Sequence, residues 1–379
     1  MNARITLPGR AEPLDLPAPR WAATYPPPAR RSVFAAAHVV ASGDASIDWD
    51  ATMRFREHLW RHGFGLAEAM DTAQRGAGLT WAQARELIRR SAERAAELGT
   101  QIASGAGTDQ LPAGPHPLAA IIRAYADQVE FVQAAGSDVV VLASRALAAS
   151  ARSRADYLEV YEKVLTHARR PVLLHWLGEA FDPALTGYWG SPNFDAAANT
   201  VLELVERAGG KVVGIKLSVL DADRERALRR RLPPGVRMYT GDDFHYGELI
   251  RGDADGHSDA LLGAFAAITA PAAAALHALD QGDVAAYDAI IAPTVVLSRL
   301  IFAEPTYDYK VGVAFLAWLN GFQPKFAMLA GLQNRRLPAH LIGVFELAAA
   351  AGAFPDPDLA VSRMVEYLAT VGMTGPARA

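Results

Sequence analysis

The chain has 379 residues, and its length and composition exclude several classes of protein. A chain this long can bury a large core without staples, so small scaffold folds are excluded. It has no cysteine, which excludes disulfide frameworks, thiolate nucleophiles, iron–sulfur clusters and zinc–thiolate sites. Lys and Arg total 37 against 41 Asp and Glu, and the net charge of −4 favours neither nucleic acid nor an anionic membrane as a partner.

The first 30 residues read as an extended arm, because prolines recur there and include the run Pro26-Pro27-Pro28. The arm either wraps its own domain or a neighbouring subunit, or it is a poorly ordered tail. The start of the chain lacks the apolar region of a signal peptide, and the most apolar stretch, residues 264–279, is interrupted by Pro271. We therefore expect a cytoplasmic protein with no membrane partner.

From Arg31 onward, apolar runs of strand length alternate with longer amphipathic segments, as in βα units. Eight such runs are residues 33–40, 63–68, 100–103, 138–143, 171–176, 211–217, 236–240 and 256–262. The helices predicted between them are residues 80–98, 117–134, 153–167, 193–208 and 221–231. Eight repeats without a glycine-rich dinucleotide fingerprint predict an α/β fold, a closed (β/α)8 TIM barrel, rather than an open doubly wound sheet.

Beyond about residue 270 the sequence shows only helical patterns. The predicted helices are residues 271–279, 284–302, 309–320, 338–351 and 357–371. The predicted organisation is therefore an arm at 1–30, a barrel at 31–270 and a C-terminal helical region at 271–379.

Lys216 is the strongest catalytic candidate. In a barrel the functional groups gather at the carboxyl ends of the strands, and Lys216 lies near the end of a predicted strand. Strand alternation puts it on one face with Gly214 and Ser218, while Ile215 and Leu217 form the apolar face toward the helices. Burial lowers the pKa of an ammonium toward the neutral amine that attacks a carbonyl carbon. A lysine that only snorkels or pairs with a carboxylate is the alternative.

The sequence around Lys216 resembles the dihydrodipicolinate synthase and N-acetylneuraminate lyase superfamily of class I aldolases and lyases, in its divergent dihydrodipicolinate synthase-like branch. The superfamily's Schiff-base strand reads V-V-G-I-K, as residues 212–216 do, and its preceding strand reads P-V-x-L-Y-N where residues 171–176 read P-V-L-L-H-W. Gly241-Asp-Asp243 resembles its G-x-D/D turn, and Lys310 and Gly321 match its C-terminal lysine and glycine. The resemblance implies a TIM barrel, a lysine imine, no cofactor and a homo-oligomer, either a dimer or a tetramer, with the C-terminal helices at its contacts.

Two departures from the superfamily pattern change the expected substrate. Where the superfamily has G-T-T-G-E, whose threonines bind a keto-acid carboxylate, this chain reads Gly65-Leu-Ala-Glu68. His175 takes the place of the proton-relay tyrosine, and an imidazole can serve as acid and base instead. Glu179 lies near the place of an arginine. We therefore expect a Schiff-base-forming aldolase or lyase, or a related dehydratase. Its expected substrate is a keto or aldehyde compound that is sugar-like or cyclitol-like rather than pyruvate.

The predicted site combines a catalytic pair with residues expected to bind substrate at the barrel mouth. The catalytic pair is Lys216 and His175. The predicted substrate-binding residues are Gly65, Glu68, Ser218, Asp242, Asp243, His245, His38 and Arg145. For several of these a structural role is an open alternative: a core histidine for His38, a solvated loop residue for His245 and a salt bridge to Glu68 or Glu179 for Arg145. Trp176 and Trp189 either stack on a sugar ring or pack in the core.

Two other functions remain open from the sequence. One is a divalent-metal sugar isomerase or epimerase, which would draw its ligands from several strand ends. The ligands available to it are His38, Glu68, His175, Asp242 and His245. The other is a barrel that binds a metabolite without turning it over.

Overall fold

The computed structural model describes residues 3–43 and 46–373. These residues form two compact units. One unit, the barrel unit, consists of Arg31–Ala37 and Gly65–Leu262, and the other, the helical unit, contains the remaining described residues. The predicted domain boundaries at residues 30 and 270 differ from this division mainly at 38–64, which groups with the C-terminal residues.

The strands and helices of the described residues follow in chain order. The strands are β1 (Arg4–Ile5), β2 (Leu14–Asp15), β3 (Val33–Ala36), β4 (Gly65–Glu68), β5 (Ile102–Ala106), β6 (Asp138–Val141), β7 (Val172–Leu177), β8 (Val212–Ser218), β9 (Arg237–Thr240) and β10 (Asp259–Leu262). The helices are α1 (Trp49–Arg61), α2 (Trp81–Leu98), α3 (Leu118–Ala134), α4 (Arg145–Ser150), α5 (Arg154–His167), α6 (Phe194–Arg207), α7 (Ala222–Arg229), α8 (Tyr246–Arg251), α9 (Ala264–Ala267), α10 (Thr269–Asp280), α11 (Val284–Ile301), α12 (Lys310–Leu319), α13 (Pro338–Ala350) and α14 (Pro357–Thr370).

The barrel unit is a closed barrel of eight parallel strands. Strands β3 to β10 pair in sequence order, and β10 closes the circle by pairing with β3. The predicted (β/α)8 TIM barrel is thus confirmed, and each of the eight predicted strands is present with its ends moved by a few residues. The largest difference is in the first barrel strand, which ends at Ala36 rather than at residue 40.

Alternate residues of the barrel strands fill the interior. This interior cluster consists of Phe34, Ala36, Ala67, Met70, Ala103, Val140, Leu173, Tyr239 and Leu261, with Leu142 packed against it. Its members are the layered apolar side chains that make a TIM barrel a packed core rather than a pore. At Gly214 an added Cβ would lie 2.8 Å from both Leu173 and Tyr239, so glycine leaves the space that these two side chains fill.

The helical unit contains the N-terminal arm, α1 and the C-terminal helices. The arm forms the β1–β2 hairpin, and the Trp21 Nε1 atom donates to the Gly352 carbonyl at 2.8 Å. Helix α1, which was not predicted, begins after Asp48, whose carboxylate accepts from the Ala51 amide. Its Phe55 ring packs on Phe322 with centroids 5.2 Å apart, which explains why residues 38–64 group with the C-terminal residues.

Helix α11 is the one helix of the described residues that is long and apolar enough to cross a membrane. It has 18 residues with a mean hydropathy of 1.6, and 33% of them are buried. It packs against α10 and α13 within the helical unit. Core helices of water-soluble proteins meet the same criterion, so this helix alone is weak evidence for a membrane span.

Candidate active site

Lys216 lies on the interior face of β8, near the carboxyl end of the strand. It is 5% exposed. Gly214, on the same face, adjoins the interior residues Leu173 and Tyr239, and an added Cβ at Gly241 would lie 2.8 Å from the Lys216 Cε atom. Strand alternation therefore directs Lys216 inward, while Ile215 and Leu217 face the helices.

His175 is the direct neighbour of Lys216 on the adjacent strand. The two residues are paired in the register of β7 and β8. The imidazole is 2% exposed, and its Nε2 atom lies 3.2 Å from the Ser218 hydroxyl. Three of the predicted residues, Lys216, His175 and Ser218, thus come together at the carboxyl end of the barrel.

The charge state of Lys216 is set by opposing influences. Burial lowers the pKa of the ammonium, because removal from water penalises its charged form. The carboxylates of Asp71 and Asp243 act in the other direction and raise the pKa. The pKa remains below its ordinary value of 10.5, so the neutral amine is more accessible than that of a lysine in water.

His175 is held in its neutral form. Burial is the main cause that lowers the pKa of its imidazole well below 6.5, and the nearby charge of Lys216 lowers it further. The charge of Asp71 opposes both influences. A neutral imidazole carries one nitrogen that accepts a proton and one that donates, which suits proton exchange with a neighbouring group.

Asp71 is the site residue that the sequence analysis missed. It begins a short 3₁₀ turn, Asp71–Ala73, that follows β4. The chain reaches this turn through Ala69, which has φ 51°, a left-handed conformation uncommon outside glycine. A carboxylate shortly after a barrel strand is the signal in the sequence that could have identified it.

Arg75 fixes the loop that carries Asp71. Its guanidinium is buried and donates to the carbonyls of Ala69 at 3.3 Å and Gly105 at 3.1 Å. It also pairs with Asp109 through Nε at 2.9 Å and through a second, shorter contact. The guanidinium therefore ties the loop after β4 to the loop after β5, and this tie holds Asp71 at the barrel rim.

Gly241 makes room for the site at the end of β9. An added Cβ there would lie 2.1 Å from the Ser218 Oγ atom as well as 2.8 Å from Lys216 Cε. The next residue, Asp242, uses one carboxylate oxygen to accept from the amides of Phe244 and His245. Its other oxygen lies 2.9 Å from the His245 Nδ1 atom. Asp242 therefore organises the loop that carries Asp243, and His245 is its partner.

A buried carboxyl group lies behind this loop. Glu225 of α7 is 1% exposed and accepts from the hydroxyls of Thr240 at 3.0 Å and Ser258 at 2.7 Å. The Thr240 hydroxyl also accepts from the Asp242 amide at 3.1 Å. Burial raises the pKa of Glu225 to about 8, so the group carries a proton at neutral pH. Glu225 is not among the site residues predicted from the sequence.

Glu68 and Gly65 occupy structural positions on β4 rather than the expected substrate-binding ones. Glu68 faces α2, where one oxygen accepts from the Ser91 hydroxyl at 2.6 Å and the other from the Ala69 amide at 2.8 Å. Its neighbour Ala67 belongs to the interior cluster, so strand alternation turns Glu68 outward. Gly65 leaves space for the Phe34 ring, which an added Cβ would meet at 2.6 Å.

His38 and Arg145 are likewise engaged by protein groups. The His38 Nε2 atom lies 3.0 Å from Gln323 Oε1 within the helical unit, because β3 ends before reaching this residue. Burial lowers the pKa of His38 to about 3. Arg145 pairs with Asp182 at 2.5 Å rather than with Glu68 or Glu179.

The two tryptophans proposed to stack on a sugar pack against protein instead. Trp176 stacks on Phe194 with centroids 5.0 Å apart. Trp189 is fully buried and its ring centroid lies 4.5 Å from that of Tyr161. Both side chains lie in the outer layer of the barrel, where they pack against other aromatic residues of the protein core.

In the part of the chain that the structure describes, the residues considered as metal ligands do not come together around one point. No three His, Asp or Glu side chains of residues 3–43 and 46–373 converge in a way that could hold an ion. Of the five ligands considered from the sequence, Asp242 and His245 pair with each other, while Glu68 faces α2 and His38 faces Gln323.

A separate surface groove lies between α5 and α6, away from the barrel mouth. Its lining residues are Arg154, Ala155, Leu158, Glu159, Glu162, Lys163, Glu203 and Arg207. Arg207 pairs with Glu162 and Glu203, and Arg154 pairs with Glu203. Four of its charged residues thus pair with one another, and none of its lining residues belongs to the candidate site.

Comparisons with solved structures confirm the resemblance at the level of the fold. The chain aligns with dihydrodipicolinate synthase from Aquifex aeolicus at 15% identity and a TM-score of 0.65, covering 84% of this chain and 97% of that one. YagE, a prophage protein of the dihydrodipicolinic acid synthase family from E. coli K12 in complex with pyruvate, aligns at 17% identity and a TM-score of 0.65. The alignment covers 85% of this chain and 98% of YagE. The chloride-inhibited dihydrodipicolinate synthase from Acinetobacter baumannii, complexed with pyruvate, aligns at 16% identity and a TM-score of 0.64. The alignment covers 86% of this chain and 99% of that one.

Sequence comparisons define the family. No curated protein sequence matches the chain. A family model described as "Protein of unknown function (DUF993)" matches residues 9–373, which is nearly the whole chain. The chain therefore belongs to the DUF993 family, whose fold in this member is that of the dihydrodipicolinate synthases.

Proposed function

We propose that the protein is a class I lyase of the aldolase type, in which Lys216 forms an imine with a keto or aldehyde substrate. The observation that carries the proposal is the buried amine of Lys216 on the interior face of β8, in register with the neutral imidazole of His175. An amine with a lowered pKa beside a group that exchanges protons is the arrangement that imine chemistry requires.

The charges around the amine favour an uncharged substrate. The carboxylates of Asp71 and Asp243 both act on Lys216. They would repel the carboxylate of a 2-keto acid, and Arg145, the arginine expected to bind an anion, is paired with Asp182. Carboxylate and imidazole groups accept hydrogen bonds from hydroxyls. We therefore propose a polyhydroxylated substrate, sugar-like or cyclitol-like, rather than pyruvate.

The proposed reaction balances without a cofactor. The Lys216 nitrogen attacks the carbonyl carbon, and the carbonyl oxygen is protonated and leaves as water. In the cleavage direction, a base takes the proton of the hydroxyl on the carbon β to the imine carbon. The bond between the α and β carbons breaks, the β carbon leaves as the carbonyl of the first product, and the electron pair of the broken bond moves into the iminium to give an enamine. Protonation of the enamine and addition of water return the amine and release the second product. His175 is proposed to carry these protons, with Ser218 as its hydrogen-bonding partner.

A product assay tests this proposal against its alternatives. The purified chain is incubated with neutral ketoses, hydroxyaldehydes and cyclic hydroxyketones, with pyruvate in a parallel series, and products are followed by mass spectrometry. Lys216→Arg is the test variant. Lys211→Arg is its matched control, because Lys211 begins the same segment and its Nζ atom donates to the Leu165 carbonyl at 2.8 Å.

The proposal predicts cleavage of neutral compounds by the wild type and by Lys211→Arg, and no cleavage by Lys216→Arg. Cleavage confined to pyruvate adducts would contradict the proposed substrate class while leaving the imine intact. Binding of neutral compounds without any product would support a metabolite-binding barrel. Turnover that survives Lys216→Arg and requires an added divalent metal would support the isomerase alternative.

A further inference from the structure

Asp71 follows the barrel strand that lies opposite the strand of Lys216. The eight strands are arranged around the barrel in the order β3 to β10, so β4 and β8 are separated by three strands in either direction. Asp71 begins the turn that comes after β4, at the carboxyl end of the barrel. A substrate that enters through the barrel mouth and reaches Lys216 therefore has the amine on one side and the loop of Asp71 on the other.

The loop after β4 turns inward before it reaches Asp71. Met70, the residue before Asp71, is fully buried and belongs to the interior cluster. The chain reaches Met70 through the left-handed Ala69, whose carbonyl accepts from the buried Arg75 guanidinium. The backbone therefore carries Asp71 over the barrel interior rather than away from it.

Asp71 is more accessible than the residues around it. All residues from 64 to 75 are buried except Asp71, which is partly exposed. Lys216 and His175, by contrast, are almost completely buried. A substrate bound to the amine therefore extends from a deep end at Lys216 toward an outer end at Asp71.

The Asp71 carboxylate acts on both members of the catalytic pair. Its charge raises the pKa of the Lys216 ammonium and opposes the lowering of the pKa of the His175 imidazole. Asp243 also acts on Lys216, but it follows β9, which pairs directly with β8, and so it lies beside the amine rather than across from it. Asp71 is thus a carboxylate within electrostatic reach of both catalytic residues from the other side of the mouth.

The proposed reaction needs proton transfer at two separate positions on the substrate. One is the imine end, where the carbonyl oxygen leaves as water and the enamine carbon takes a proton. The other is the hydroxyl on the β carbon, two bonds further along the substrate than the imine carbon. His175 pairs in register with Lys216 at the deep end and suits the first position, whereas the outer end of the substrate is nearer to Asp71.

We propose that Asp71 is a second catalytic residue, the base that takes the proton of the hydroxyl on the β carbon in the cleavage direction. The carboxylate becomes a carboxylic acid, the β carbon becomes the carbonyl carbon of the first product, and the electron pair of the broken carbon–carbon bond enters the iminium. In the addition direction the carboxylic acid returns this proton to the oxygen of the aldehyde. His175 keeps the transfers at the carbonyl oxygen and at the enamine carbon. The assignment rests on the imine proposed for Lys216.

Two reactions of one ketone separate the two proton transfers. Dihydroxyacetone has no β carbon, so exchange of its carbon-bound hydrogens in deuterated water needs the imine and His175 but not Asp71. Addition of dihydroxyacetone to glyceraldehyde gives a ketohexose and needs the proton of Asp71 as well. Hydroxyacetone, which also has no β carbon, is tested in parallel. Proton NMR measures the exchange, and mass spectrometry measures the addition product.

Asp71→Asn should separate the two rates. We expect addition to fall by about 10²–10⁴ and exchange by less than about tenfold, with each variant measured on the plateau of its pH profile. Asp71→Glu, which keeps a carboxylate, should recover part of the addition rate. Asp243→Asn is the matched control, because it removes the other charge that acts on Lys216, and it should change both rates by similar factors. Asp109→Asn weakens the contact that holds Arg75 and should likewise change both rates together.

Three results would overturn the assignment while leaving the imine in place. The first is an addition rate that Asp71→Asn leaves unchanged or lowers by the same factor as exchange. The second is a selective loss of addition in Asp243→Asn alone. The third is a wild type that exchanges the ketones but adds neither of them to glyceraldehyde. A wild type that exchanges neither ketone and leaves no reduced adduct with either on Lys216 would instead contradict the imine, and the assignment would fall with it.

Discussion

His175 and Lys216 face each other across the β7–β8 strand pair, and their ionisation states are linked. Burial holds the pKa of the imidazole well below its ordinary range, and the charge of the lysine lowers it further. When Lys216 loses its proton or becomes part of a neutral carbinolamine, this repulsion ends and the imidazole accepts a proton more readily. This linkage is what the proposed proton exchange between the two neighbours on adjacent strands requires.

Replacement of His175 should slow proton transfer without preventing imine formation. His175→Gln keeps a hydrogen-bonding side chain but cannot titrate, and we expect kcat for the cleavage reaction to fall by about 10²–10⁴. Reductive trapping on Lys216 should persist, because the nucleophile is unchanged. Steady-state kinetics and intact-protein mass spectrometry measure the two effects. Ser218→Ala should have a smaller effect, and an unchanged kcat in His175→Gln would remove the histidine from the mechanism.

Replacement of Asp71 should move the pH profile. The Asp71 carboxylate raises the pKa of Lys216, so Asp71→Asn should lower that pKa and enlarge the fraction of neutral amine at a given pH. The acidic limb of the kcat/KM profile should therefore shift to lower pH. Asp243→Asn should shift it in the same direction, whereas Asp195→Asn, on the outer helix α6, should not. A limb that stays in place in both site variants would show that these carboxylates do not act on the reacting amine.

A methyl group at Gly241 should disturb the site. Gly241→Ala would bring a carbon atom to 2.1 Å from Ser218 Oγ and 2.8 Å from Lys216 Cε, so both side chains must move. We expect a loss of stability of about 1–3 kcal/mol and a larger loss of kcat/KM. Gly107→Ala is the matched control, because its nearest neighbouring atom would lie at 3.6 Å. Calorimetry and kinetics on both variants check the prediction, and wild-type behaviour in Gly241→Ala would contradict the described packing.

Glu225 should make the folded chain less stable as the pH rises. Its pKa is raised from 4.5 to about 8, so between these values the folded chain keeps a proton that the unfolded chain releases. Its contribution to stability is fully present below pH 4.5 and is lost as the pH rises toward 8. Glu225→Gln removes this titration while keeping hydrogen bonds to Thr240 and Ser258.

The free energy of unfolding of Glu225→Gln should therefore rise relative to that of the wild type by about 1.4 kcal/mol for each pH unit between pH 4.5 and about 8. Urea denaturation from pH 5 to pH 8 measures the difference, with Glu206→Gln, on the outer helix α6, as the control. A constant difference across the window would mean that Glu225 is ionised in the folded chain.

The part of the site that could be predicted from the sequence follows from the alternation of side chains along the strands. Alternation along residues 212–218 places Lys216 and Ser218 on one face, and the structure has that face inside the barrel. The same alternation, applied to β4, turns Glu68 outward only once the structure shows that Ala67 faces inward. The eight strands were likewise predictable from the alternation of short apolar runs and helices.

The part of the site that could not be predicted from the sequence depends on the conformations of loops and on where strands end. The position of Asp71 depends on the left-handed Ala69 and on the Arg75 contacts to Ala69 and to Gly105, and the second contact joins residues 30 positions apart in the chain. The engagement of His38 by Gln323 depends on where β3 stops, and strand ends are the least predictable part of a pattern. Helix α1 was predictable from its Asp48 cap and amphipathic spacing but was not recognised.

Reductive trapping of the imine shows whether Lys216 is the nucleophile. The chain is incubated with each neutral carbonyl compound that it binds and then treated with borohydride, and its peptides are mapped by mass spectrometry. We predict a reduced adduct on the peptide that contains Lys216, its presence in Lys211→Arg and its absence in Lys216→Arg. A bound carbonyl compound that leaves no adduct on Lys216, or an adduct that Lys216→Arg does not remove, would contradict this prediction.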